Sequence, residues 1–170
     1  MRDVRFTIVE EAGKLRLEFA AFDSPPTASW LSKLDEDRLM TSTGQVVCVG
    51  GRGPFDDVVS AMLAQLLAQR GVASRRILHT STSRELITQL DLAAVKVIAV
   101  SYLELNGAPA HLRYLVRRLR LRAPQAAIIV GLRPQGEGVL NDPQAQNSLG
   151  GDRFVASMRE AVDATLERIS

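Results

Sequence analysis

Residues 45–170 are predicted to form one α/β domain built on a parallel sheet. Three observations lead there. Short continuous apolar runs recur at 45–50, 95–101 and 126–131, as expected of strands buried on both faces. Between them lie segments whose apolar residues recur at helical spacing. The links are short, so strands and helices alternate as in a doubly wound sheet.

The elements before this domain follow a different period. Phe6 and Ile8, then Leu15, Leu17 and Phe19, alternate around Glu10-Glu11-Ala12-Gly13-Lys14, which predicts a β-hairpin. Asp23-Ser24-Pro25-Pro26-Thr27 breaks it. Residues 29–40 suit a short helix with Trp30, Leu31, Leu34 and Leu39 on one side. Thr41-Ser42-Thr43-Gly44 is a polar linker, and the domain boundary is placed there, dividing 1–44 from 45–170.

After Gly44 the first strand, 45–50, leads through Gly50-Gly51-Arg52-Gly53 into a helix over 54–70. Pro54 starts that helix, Asp56 and Asp57 suit its positive end, and Gly71 stands at its C-cap. An edge strand is expected at 75–79 and a helix at 83–92. The third strand, 95–101, feeds an arginine-rich helix over 108–122. The fourth strand, 126–131, precedes a polar stretch with one or two helical turns from Asp142. A short fifth strand at 153–157 and a helix at 158–169 close the chain. Right-handed crossovers then favour the flavodoxin-like strand order 2-1-3-4-5. Ligands of such sheets bind at the carboxyl ends of the strands, a rim formed here by 50–55, 101–109 and 131–138.

Composition narrows the function. Of the 170 residues 46% are hydrophobic and only 5% aromatic, so the core must be aliphatic. A net charge of +2 does not indicate a nucleic-acid binder. The single cysteine, Cys48, can form neither an internal disulfide nor a Cys-based metal site. Apolar runs fall short of the ~18 residues a membrane span needs, and the N-terminus lacks a signal-peptide core. A cytoplasmic, soluble chain is the expectation.

Each local motif has a plain reading beside its chemical one. Gly51, Arg52 and Gly53 make an anion cradle or a tight turn; neither a P-loop nor GxGxxG is present, and the turn is preferred. Ser101 could act as a nucleophile only with a base, and His111 is the nearest candidate, but no nucleophile elbow surrounds it. Arg113, Arg117 and Arg120 form a basic patch: a solvated helix face, or a surface for anionic lipid or an acidic partner.

Ser101-Tyr102-Leu103 after strand three and Gly131-Leu132 after strand four resemble marks of the cobalamin-binding domain family. Its Asp-x-His-x-x-Gly mark is missing: Gly51, Gly53 and Asp56 stand at the aspartate, histidine and glycine positions. The resemblance is closer to the cytosolic C-terminal domain of PerM-type permeases, in the autoinducer-exporter superfamily. It rests on Met62-Leu63-Ala64-Gln65-Leu66-Leu67, on the segment from His111 to Arg120, on Pro124, on Ile129-Val130-Gly131-Leu132 and on the segment Gly150 to Val155. It covers about 45–168 and not the hairpin. It implies a non-catalytic regulatory or interaction domain attached to a membrane permease, with no metal and no cobalt-ligating histidine. The alternative is a sensor binding cobalamin, or another small molecule, at a crevice lined by Gly51, Arg52, Gly53, Ser101, Leu103 and Gly131. Expected partners are a permease or an anionic membrane surface, with a homodimer as a further option and no nucleic acid.

Overall fold

The computed structural model describes residues 5–11, 14–20, 44–103, 110–132 and 143–169. The chain divides into two compact units, Met1–Glu36 and Asp37–Ser170. In the first, β1 (Arg5–Glu11) and β2 (Lys14–Ala20) pair antiparallel with Arg5 opposite Ala20 and Glu11 opposite Lys14, the hairpin that the alternation predicts. The expected short helix and linker at 29–43 lie outside the described residues.

The second unit holds five parallel strands. They are β3 (Val46–Gly50), β4 (Ser74–Ile77), β5 (Val97–Tyr102), β6 (Ala127–Leu132) and β7 (Arg153–Val155). Their spatial order is β4-β3-β5-β6-β7, the flavodoxin-like 2-1-3-4-5. Four helices connect or follow them: α1 (Pro54–Gln69), α2 (Ala110–Arg122), α3 (Pro143–Leu149) and α4 (Met158–Ile169).

Successive strand residues point to opposite faces, so continuous apolar runs supply two cores at once. Val47, Val49, Ile98, Val100, Ile128 and Val130 face α2, whose Leu112, Leu115, Val116 and Leu119 are sealed from solvent. Val46, Cys48, Val97, Ala99 and Ile129 face α1 and α4 through Leu63, Leu67 and Val162. Burying each leucine contributes about 1.5–3 kcal/mol. The two border strands of the sheet are short: β4 carries Arg75 and Arg76, and β7 carries Arg153.

Gly71 ends α1 with φ at +77°, a left-handed torsion suited to glycine, and its N–H donates to the Ala68 carbonyl at 3.0 Å. The helix expected at 83–92 is absent. Two 3₁₀ turns, His79–Thr82 and Leu86–Gln89, take its place. Hydroxyls explain the difference. Thr82 donates to the His79 carbonyl at 2.6 Å, Thr88 donates to the Glu85 carbonyl at 2.6 Å, and Ser83 accepts the Leu86 N–H at 3.3 Å. Such side-chain bonds offer the backbone an alternative to a helical ladder. The predicted strand 75–79 likewise stops at Ile77, because the His79 N–H is taken by the Asp57 carboxylate at 2.7 Å.

Candidate functional site

β3 is flanked by β4 on one side and β5 on the other, so the chain reverses its winding direction between β3 and β5. The loops leaving these two strands part at this point and form the binding crevice of doubly wound sheets. Gly51, Arg52 and Gly53 follow β3; Ser101 and Tyr102 end β5, and Leu103 follows.

Asp56 holds these loops together. It is 3% exposed. One carboxylate oxygen accepts the Arg52 N–H at 2.7 Å and the Gly53 N–H at 3.2 Å, and the other accepts the Leu103 N–H at 2.8 Å. Backbone donors at the start of a helix following a glycine turn are ready to receive an anion. Here the protein's own carboxylate takes that place. Asp56 is third in α1, the position from which an acidic side chain reaches back to the N-cap, here Gly53. The spacing from Gly53 to Asp56 was the sequence signal for this bond; the reach to Leu103 had none.

Gly51 is required by close approach. Its N–H donates to the Ser101 carbonyl at 2.9 Å, and a Cβ there would lie 2.4 Å from Tyr102 Cδ2. Gly53 is different: it is extended at φ −148°, and a Cβ would meet nothing within 4 Å. Ser101 is 4% exposed and in register with both Gly50 and Gly131. Gly131 needs no special freedom, since a Cβ would find ordinary contacts at 3.6 Å or beyond. Five of the six predicted crevice residues therefore converge around Asp56, and Gly131 adjoins them across the sheet.

Both histidines lie beside this rim. His79 Nδ1 sits 2.5 Å from an Asp57 carboxylate oxygen, in addition to its N–H bond to the same group. That pairing was not legible in the sequence, since 22 residues separate the partners. His111 meets Tyr102. Its Nδ1 lies 3.3 Å from the Tyr102 hydroxyl, with the two rings 5.9 Å apart and tilted by 33°. Burial, then the Arg118 and Arg52 charges, hold His111 below its ordinary value, with Asp56 partly opposing them.

The predicted basic patch divides. Arg113 and Arg117 are exposed on the outer side of α2. Arg120 is tied inward: it donates to the Ala126 carbonyl at 2.6 Å and to the Asp152 carboxylate at 2.5 Å. This corrects its assignment as free surface charge. Asp152 also accepts the Ile128 N–H at 2.6 Å, fixing the start of β6. Burial pushes the Asp152 carboxyl up, but the Ile128 bond and Arg120 outweigh it and hold the group below its ordinary value. Burial pushes the Cys48 thiol up to about 12. Among the described residues, no three His, Cys, Asp or Glu side chains group as a metal site would require.

The class defined by this arrangement is a flavodoxin-like doubly wound α/β domain with a carboxylate-clamped rim. No protein-family model and no curated protein matches the sequence. Among solved structures, it is similar to the TrkA-N domain of the inner membrane protein ybaL from Escherichia coli. The identity there is 16% over 77% of this chain and 100% of that chain, with a TM-score of 0.42. It is also similar to a response regulator from Thermotoga maritima, at 12% identity over 73% of this chain and 96% of that one, with a TM-score of 0.49. These are likenesses of chain path and carry no function. Among the described residues, no helix is long and apolar enough to cross a membrane.

Proposed function

We propose that this flavodoxin-like unit is a non-catalytic cytoplasmic regulatory or interaction domain associated with a membrane permease, resting on anionic lipid through the outer face of α2. The permease link comes from the sequence resemblance over 45–168. The observation that supports the lipid contact is α2 itself. Five arginines and no acidic residue lie between Ala110 and Arg122. Its outward face presents Arg113 and Arg117 together with Tyr114 at 57% and Leu121 at 74% exposure. The Arg113 guanidinium stands 5.9 Å from the Tyr114 ring centroid.

Guanidinium groups beside an aromatic ring and an aliphatic side chain suit a headgroup layer: cations meet phosphates while apolar atoms enter the acyl boundary. Each arginine near an anionic surface contributes about 1 kcal/mol, so Arg113 and Arg117 together account for roughly a 30-fold change in partitioning. The rim carboxylates support the non-catalytic part of this reading, because Asp56 and Asp57 both serve as acceptors for the protein's own donors.

Co-sedimentation of the full chain with phosphatidylserine-containing vesicles tests the proposal. Binding is expected at low salt and is lost near about 1 M salt, where the Debye length shrinks to ~3 Å. The double variant Arg113→Ala/Arg117→Ala should bind at least roughly tenfold more weakly. Absence of low-salt binding, or equal binding by the double variant, overturns the lipid contact.

A further inference from the structure

We propose that the outward face of α1 is the seam of a homodimer, in which α1 of one copy lies antiparallel against α1 of a second copy. The inference does not rest on the lipid contact, because α2 covers one face of the sheet and α1 and α4 cover the other.

α1 has two apolar faces where a helix on a sheet needs one. Ser60, Leu63, Ala64 and Leu67 are buried on its inner face. On the opposite side Phe55, Val58, Met62, Gln65 and Gln69 recur at alternating steps of three and four residues, the spacing of a coiled-coil seam. Phe55 is 37% and Val58 45% exposed, Met62 is half-buried, and Gln65 and Gln69 are exposed. Val59 and Leu66, both half-buried, widen the apolar stripe along one flank. A helix that is apolar on both sides is normally buried on both. From Val58 to Gln69 α1 has no charged residue at all. The other two long helices differ: α2 carries five arginines, and α4 carries Arg159, Glu160, Asp163, Glu167 and Arg168.

A second copy is the occupant this face fits. Interface centres are depleted of charge, and an uncharged seam meets itself without burying an unpaired ion. A two-fold axis sets one patch against its own copy, so the patch must complement itself. α1 does so in one direction only. Asp56 and Asp57 outweigh Arg52 at its start, and Arg70 follows its end. Antiparallel pairing about Met62 brings Arg70 of each copy towards the first turn of the other and opposes the two helix dipoles. Parallel pairing would set Arg70 against Arg70. In the antiparallel register Val58 meets Gln65 of the other copy, and Phe55 meets Gln69. A bilayer is a poorer occupant, because helices that lie among headgroups carry Lys or Arg beside the apolar stripe.

The contact is small. A helix of 16 residues is about 24 Å long, so one face of it falls short of the about 800 Å² per partner of a standard interface. Association is therefore weak, with a Kd on the order of 10–100 µM.

Sedimentation velocity of the full chain between about 5 and 500 µM tests this, and the mass should rise from that of the monomer towards twice that value. The association should change little between about 0.05 and 0.5 M sodium chloride, since no ion pair lies at its centre. Val58→Glu sets a carboxylate from each copy in the seam and should raise the Kd at least roughly tenfold. Val58→Glu/Gln65→Lys should recover most of that loss, whereas Val58→Glu/Gln65→Glu should not. Positions 58 and 65 lie two turns apart on one helix, too far to pair within it, so recovery reports a contact between copies. Leu121→Glu, on α2, should dimerise like the parent. Glutamate and lysine are good helix formers, and circular dichroism confirms that each variant is folded. A chain that stays monomeric at about 500 µM, an association abolished by salt, or an unchanged Kd for Val58→Glu overturns the proposal. A Val58→Glu/Gln65→Lys variant that dimerises no better than Val58→Glu alone overturns the antiparallel register.

Discussion

Replacing Asp56 with alanine removes the single acceptor that two loops share. Three N–H groups lose a charged partner: those of Arg52, Gly53 and Leu103. A hydrogen bond to a charged group contributes about 1.5–3 kcal/mol net. The three are not additive, and the loop donors regain some water, so a loss of roughly 3–5 kcal/mol is expected. Asparagine is the informative companion. With its carbonyl oxygen towards Arg52 and Gly53, its amide group must face the Leu103 N–H, donor against donor, at a cost of about 2 kcal/mol. Urea unfolding followed by circular dichroism measures both. With about 2–4 °C per kcal/mol for a domain of this size, the melting temperature of Asp56→Ala should fall by roughly 10 °C. A loss below about 1 kcal/mol for alanine, or equal losses for alanine and asparagine, would refute the idea that this carboxylate clamps the rim.

Other substitutions have distinct signatures. Gly51→Ala should cost about 1–3 kcal/mol, because its Cβ would run into Tyr102 at 2.4 Å and the Ser101 carbonyl at 2.8 Å, whereas Gly53→Ala should cost less than about 1 kcal/mol; parallel denaturant melts compare them. With its thiol pushed up to about 12, Cys48 should resist alkylation in the native protein at mildly alkaline pH and react only as fast as the domain unfolds. Asp152 has a folded value below its unfolded one, so its stabilising effect is complete above the ordinary carboxylate range and disappears as pH falls through the folded value. Asp152→Asn should therefore be less stable than the parent at neutral pH, with the gap closing in acid; a gap that widens in acid would contradict this. For His111, also lowered, stability is complete above about 6.5 and declines as pH falls below it, and His111→Gln should remove that decline.

The wound sheet was legible because both faces are buried. A strand such as Val46–Gly50, sealed on each side, must read as a continuous apolar run, and α2 must show Leu112, Leu115, Val116 and Leu119 at helical spacing. The failures have a common physical origin. Periodicity over 83–92 pointed to a helix through Leu86, Ile87 and Leu90, but local hydroxyl bonds decided the backbone instead. Arginines at 113, 117 and 120 look alike in sequence. Only the fold brings Asp152 to Arg120, across 32 residues, and leaves the other two facing outward. At the rim, the glycine turn and Ser101-Tyr102-Leu103 were singled out correctly as neighbours. Asp56 could be placed only at the positive end of α1, because its bond to Leu103 spans 47 residues. The Tyr102–His111 pairing was hidden for the same reason: it joins a strand end to the following helix.

The arginines of β4 and β7 have a bearing on self-association. An open β-sheet invites another chain to add itself along an unpaired border, and proteins discourage this by keeping such borders brief and charged. Here one border has four residues, two of them arginine, and the opposite border has three with one. Arg153 is paired with Glu167 and Arg75 donates to the Asp91 carbonyl, so the shortness of each border is its main protection. Any homodimer of this domain should therefore form through helices, and crowding the protein should not produce ribbon-like polymers.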